Sequence, residues 1–123
     1  MTRVLIVDDQ HSFRCQLRAL LERAGLNVVG EAGDIPEAER ETRARHPDLA
    51  IVDVMLPGIN GIEGTSRLQA IAPNLRVILV SAYPNHGNLF CQAAQNIGAE
   101  MFVAKDDLDL AMVRSWKERQ GEK

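Results

Sequence analysis

The sequence predicts an α/β fold, a doubly wound (βα)5 parallel sheet with helices on both faces, and three observations predict it. Short apolar runs recur along the 123 residues. They lack polar alternation, the mark of strands covered on both faces. Longer amphipathic stretches separate them, so the order reads β-α five times over. Right-handed crossovers then dictate an open sheet. For five strands the expected order is 2-1-3-4-5, with its switch point between the first and third strands.

The strands are expected near residues 3–8, 27–31, 49–53, 76–81 and 100–104. After the first, Phe13, Leu17, Leu20, Leu21 and Ala24 share one helical face, and Gly25 stops that helix. Asp34 followed by Pro36 starts a second helix, which ends by Pro47. Its apolar face, Ile35, Ala38 and Thr42, is weak, so it should be the least firmly packed. A third helix follows Asn60-Gly61 and carries Leu68 and Ile71. A fourth carries Leu89, Ala93 and Ile97, with Gly98 as its stop. A fifth begins after Asp106-Asp107, with Leu110, Val113 and Trp116 on one stripe, read as packing against the sheet. No linker, repeat or low-complexity segment divides the chain, so residues 1–123 read as one domain with a frayed tail at Gly121-Glu122-Lys123.

Polar residues end the apolar runs. Val4-Leu5-Ile6-Val7 ends in Asp8-Asp9, Leu49-Ala50-Ile51-Val52 in Asp53, Val77-Ile78-Leu79-Val80 in Ser81, and Met101-Phe102-Val103-Ala104 in Lys105. Neighbouring parallel strands would bring these residues to one sheet edge. Two carboxylates about 5 Å apart repel by roughly 3 kcal/mol at an effective dielectric near 20. Such a cluster must take up protons or bind a cation, and oxygen-only ligands with open positions favour Mg²⁺. A carboxylate can attack phosphorus, and a metal, an ammonium and a hydroxyl can share the charge of the transferring group. Asp53 is the expected nucleophile. It stands alone before a loop holding Pro57, Gly58 and Gly61.

Composition excludes other classes. The formal net charge is −3, and the cluster Arg40, Arg43 and Arg45 is interleaved with Glu37, Glu39 and Glu41, the pattern of a solvated helix face. Direct nucleic-acid binding by this chain is not expected. No apolar run approaches the roughly 20 residues of a membrane span. The N-terminus lacks the features of a signal peptide, so a cytoplasmic location is expected. Cys15 and Cys91 read as reduced structural thiols. His11, His46 and His86 form no metal set; His11 reads as a loop residue beside the acidic site and the others as surface residues.

On Val4-Leu-Ile-Val-Asp-Asp9, Asp53-Val-Met-Leu-Pro57, Gly58-Ile-Asn-Gly61, Ser81-Ala82 and Lys105, the chain resembles the CheY-like receiver domains of two-component response regulators over essentially its whole length. The resemblance implies a flavodoxin-like fold and a phosphoacceptor role. Asp53 would be phosphorylated, Asp9 would ligate Mg²⁺ directly and Asp8 through water, and the Met55 carbonyl would add a metal ligand. Lys105 would pair with the Asp53 carboxylate and later with the phosphoryl group. Ser81 would bind that group, with Ala82 leaving room for it. Phe102 sits where the family has its rotating aromatic and lacks the hydroxyl often found there. Implied partners are a histidine kinase or phosphotransfer protein, and an effector domain or partner protein downstream. Dimerisation through the face of the fourth helix, fifth strand and fifth helix is compatible with this family. The run Lys105-Asp106-Asp107 replaces the usual Lys-Pro and resembles receivers of the NarL/FixJ type, which are joined to helix-turn-helix effectors. Enzymatic activity beyond self-phosphorylation and self-dephosphorylation on Asp53 is not expected. Two alternatives are a Mg²⁺-dependent aspartyl-phosphate phosphatase, disfavoured because Met55 stands where its general acid would be, and a receiver-like docking module that is never phosphorylated. A G-x-G-x-x-G dinucleotide site is absent after the first strand.

Overall fold

The computed structural model describes residues 1–82 and 97–117. Five parallel strands, β1 (Arg3–Val7), β2 (Asn27–Ala32), β3 (Leu49–Asp53), β4 (Arg76–Ser81) and β5 (Met101–Ala104), form one sheet in the order β2-β1-β3-β4-β5. The expected order is therefore the observed one. Every residue of β3 is buried, as its unbroken apolar run requires of the central strand. Residues that alternate along the strands feed two cores. Val4, Ile6, Leu49, Ile51, Ile78 and Val80 face one side with Leu17, Leu21 and Trp116. Leu5, Val7, Ala50, Val52, Val77 and Leu79 face the other with Ile35 and Leu68.

Helix α1 (His11–Arg23) follows β1 and buries Leu17 and Leu21; its end is marked by Gly25 at φ +91°. Helix α2 (Ile35–Arg45) starts at Asp34, whose side chain accepts a hydrogen bond from Glu37 N–H at 2.9 Å. The weak apolar face expected to leave α2 loosely packed is fully buried at Ile35, Ala38 and Thr42. Two local features account for this. The Thr42 hydroxyl is satisfied within the helix by the Ala38 carbonyl at 2.7 Å. Gly64, having no Cβ, lets α3 (Gly61–Ile71) approach Ile35 so closely that an added Cβ would meet its Cδ1 at 2.3 Å. Arg67 on α3 also forks onto Glu39 of α2, with contacts of 2.8 and 3.1 Å.

The chain after β5 differs in detail from expectation. Lys105–Asp107 form a 3₁₀ turn, and the C-terminal helix, Leu110–Arg114, starts later, with Asp109 accepting from Met112 N–H at 2.8 Å. The cap is thus Asp109 rather than the Asp106-Asp107 pair. Val113 and Trp116 are buried in the core, which makes Trp116 a packing residue. His11 opens α1 and is not a loop residue. Cys15 is a free thiol, as expected, and it is exposed on α1. The expected fourth helix with Leu89 and Ala93, together with His86, Cys91 and the 121–123 tail, lies outside the described residues. Among the described residues no helix is long and apolar enough to cross a membrane.

Candidate functional site

The parallel register brings the strand ends together. Val7 of β1 pairs with Val52 of β3, Asp53 with Val80 of β4, and Ser81 with Ala104 of β5. Each chain then turns off the sheet at a polar residue: Asp8, Asp53, Ser81 and Lys105. The sheet order is the reason that residues remote in sequence share one edge. At the switch point between β1 and β3, Asp8, Asp9 and Asp53 each offer a carboxylate oxygen within 4.8 Å of the others.

Local contacts hold these side chains. Asp8 Oδ1 accepts from Gln10 N–H at 2.8 Å, and the Asp8 carbonyl accepts from the Arg14 guanidinium of α1. Asp53 Oδ1 accepts from Met55 N–H at 3.1 Å, which turns the carboxylate along the loop after β3. Gly61 permits this loop: a Cβ there would lie 2.3 Å from the Asp53 carbonyl oxygen. Gly58, at φ +76°, supplies the left-handed turn before it.

Lys105 reaches in from the opposite side. Its Nζ lies 2.7 Å from Asp8 Oδ2 and 3.5 Å from Asp53 Oδ2, with only 9% of its side chain exposed. The nearer partner is therefore Asp8, not Asp53 as the resemblance implied. Lys105 opens a short 3₁₀ turn, Lys105–Asp107, and its Nζ also lies over the Phe13 ring of α1, 4.1 Å from the centroid. At 2.7 Å the Lys105 ammonium is the partner of the buried Asp8 Oδ2.

Burial pushes the Asp53 carboxyl above its ordinary range. The Met55 N–H opposes that shift, the Asp8 charge adds to it, Lys105 opposes it and Asp9 adds again. A carboxylate crowded in this way gains from a nearby cation. Three convergent carboxylate oxygens suit a small hard cation such as Mg²⁺, and they offer no soft ligand for another class of metal.

The remaining residues singled out in the sequence lie around this edge and along β5. Ser81 is fully buried at the end of β4 and Ala82 is exposed just beyond it. Met55 is half exposed. Phe102 is half-buried on β5, opposite Leu79, against the core on the α2–α3 side. A cavity of about 710 Å³ opens at the other end of the sheet, lined by Thr2, Thr42, His46, Asp48 and Arg76 among others, and contains none of these groups.

The sequence matches a known family. The family model described as "Response regulator receiver domain" matches residues 4–113. The chain belongs to the response regulator receiver domain family. It is 34% identical over 103 residues to the chemotaxis protein CheY of Thermotoga maritima, covering 84% of each chain. It is 35% identical over 122 residues to the DNA-binding transcriptional activator DevR/DosR of Mycobacterium tuberculosis, covering 96% of this chain and 54% of that protein. Among solved structures, a LuxR-family two-component response regulator from Aurantimonas sp. SI85-9A1 superposes with a TM-score of 0.83 at 34% identity, covering 94% of this chain and 81% of that one. The chain spans about half the length of several of its curated relatives, the transcription regulators among them. This receiver domain is thus a module of two-component response regulators, with the fold and the acidic cluster of that family.

Two groupings were missed by sequence reasoning. Phe13 covers Lys105, its ring centroid 4.1 Å from Nζ. Glu31 of β2 holds Arg14 at 3.0 Å and Arg18 at 2.7 Å, so Arg14 links β2 to the Asp8 carbonyl. Burial alone would raise the Glu31 carboxyl, but the hydrogen bonds from Arg18 and Arg14 outweigh it and hold it below its usual range. The only signal available was the i, i+4 spacing of Arg14 and Arg18 on one helical face.

Proposed function

We propose that this receiver domain accepts a phosphoryl group on Asp53 from the phosphohistidine of a histidine kinase or phosphotransfer protein, with Mg²⁺ bound, and changes its output surface in response. The observation that carries this reading is the meeting of Asp8, Asp9, Asp53 and Lys105 at the switch point of the sheet. Asp8, Asp9, Asp53 and the Met55 carbonyl would hold the ion. Bound Mg²⁺ supplies positive charge that offsets the carboxylate repulsion and polarises a phosphoryl oxygen.

An Asp53 oxygen attacks phosphorus, the bond to the donor's leaving group breaks, and that group departs with the bonding electron pair. Lys105 steadies charge on a second phosphoryl oxygen, and Ser81 with the backbone beside Ala82 receives the third. Phosphorylation takes Asp53 from one negative charge to nearly two and adds acceptor oxygens. Ser81 and Lys105 then gain stronger partners, the strand end of β4 is drawn inward, and Phe102 repacks on β5. The result is a population shift that needs differential contacts of only a few kcal/mol. An effector domain or partner protein would read the altered face around β5, which is also the face open to dimerisation.

Met55, two residues after Asp53, carries a thioether and cannot act as the general acid of an aspartyl phosphatase. Acetyl phosphate tests the proposal. With millimolar Mg²⁺, intact-mass analysis is expected to show one phosphoryl group added per chain, and a chelator is expected to suppress it. No mass gain with Mg²⁺ would overturn the reading and favour a docking module that is never phosphorylated.

A further inference from the structure

We infer that Phe13 is a positioning residue for phosphoryl transfer, holding the Lys105 ammonium over the acidic site through the face of its ring. The inference rests on the role given to Lys105 above. Lys105 carries its charge on a flexible four-carbon stem, so its position is set by what surrounds Nζ. On one side stand Asp8 at 2.7 Å and Asp53 at 3.5 Å. On another, the Phe13 ring centroid lies 4.1 Å away, within range of a cation–π contact. The ring is itself fixed, since Phe13 is half-buried and packs against the core that contains Leu17 and Trp116. Its place follows from local structure. Gln10 is the N-cap of α1, and Phe13 falls in the first turn, just beyond Asp8 and Asp9.

The ring does what a fourth carboxylate could not. Its quadrupole attracts the ammonium without accepting a hydrogen bond that must later be broken. It adds no negative charge to a site that already crowds three carboxylates. Only 9% of the Lys105 side chain is exposed, and exclusion of water strengthens the attraction to the transferring group. When Asp53 becomes phosphorylated, Nζ can swing toward the phosphoryl oxygens while the ring stays in place. An aliphatic side chain in the same seat would fill the volume but would leave the ammonium free to follow Asp8 alone.

The test compares initial labelling rates with acetyl phosphate at saturating Mg²⁺ in the full chain. Phe13→Leu keeps apolar bulk and removes the ring face; it is expected to slow labelling about 3- to 10-fold. Phe13→Tyr keeps the ring and is expected to restore the rate. The NMR signals of the Lys105 ε-methylene protons should be shifted upfield by the ring in wild type and Phe13→Tyr, and not in Phe13→Leu. In a Lys105→Met background, Phe13→Leu is expected to cause no further slowing, because its effect passes through Lys105. Slowing of equal size in both backgrounds, or an unchanged rate in Phe13→Leu alone, would overturn the inference while leaving the role of Lys105 intact. Full-rate labelling of Lys105→Met would instead overturn that role, and the inference with it.

Discussion

Asp53→Asn is expected to take up no phosphoryl group from acetyl phosphate under conditions that label the wild type. The amide is close in size and keeps an oxygen to accept from Met55 N–H, now 3.1 Å from Asp53 Oδ1, so the loop after β3 retains its anchor. What is lost is the nucleophile, since an amide oxygen or nitrogen is a far weaker one toward phosphorus than a carboxylate. Asp8 is buried against Lys105, and Asp9, though exposed, is not at the end of the central strand; neither replaces Asp53 in line with the donor. Labelling of Asp53→Asn at more than a small fraction of the wild-type rate would refute the assignment.

The same variant has a stability signature of definite sign. The folded-state carboxyl of Asp53 is raised, by burial first and by Asp8 and Asp9 in addition, against the Met55 hydrogen bond and Lys105. Between its ordinary value of 3.8 and that raised value the folded state binds more protons than the unfolded one. Wild-type stability therefore falls as pH rises through this window, and the penalty is fully present above the folded-state value. Without Mg²⁺ at neutral pH, Asp53→Asn should therefore raise Tm relative to wild type. Below the ordinary carboxylate range the gain should vanish.

Lys105→Met is expected to be destabilising by about 3–5 kcal/mol in urea unfolding without Mg²⁺, the cost typical of removing one partner of a buried ion pair. Methionine retains an unbranched stem of similar length, so the missing ammonium, and with it the contact to the Phe13 ring, dominates the change. Asp8, 1% exposed, then faces Asp53 with no cation between them. Millimolar Mg²⁺ should recover part of the loss, because an ion that binds only the folded state stabilises it by mass action. A loss below about 1 kcal/mol would show that the Lys105 contacts are of the weak, surface kind.

Most of the fold was legible because β1, β3 and β4 are unbroken apolar runs that end abruptly in a polar residue. The abrupt ending located the site too. In a parallel sheet, consecutive strands deliver their carboxyl ends to one edge, so Asp8, Asp53, Ser81 and Lys105 could be grouped before any distance was known. What was not legible depended on contacts between residues far apart in the chain. Phe13 reads as one more apolar residue on the buried stripe of α1; only the fold shows Lys105 lying over its ring. The preference of Lys105 for Asp8 likewise shows only in the fold, and the 3₁₀ turn that Lys105 opens has a sequence that looks like a helix start. Composition misjudged α2, since its few apolar residues are all buried where Gly64 allows a close helix–helix approach.

The central claim is that three carboxylates from two strand ends share one cation beside a basic side chain. Carbon-13 NMR of the aspartate carboxyls during a Mg²⁺ titration tests it most directly. The signals of Asp8, Asp9 and Asp53 are expected to move together, along one saturating curve with one ion per chain, and Asp9→Ala should weaken that curve for the other two. Independent curves for the three residues, or an Asp53 signal that stays fixed while Mg²⁺ saturates elsewhere, would contradict it.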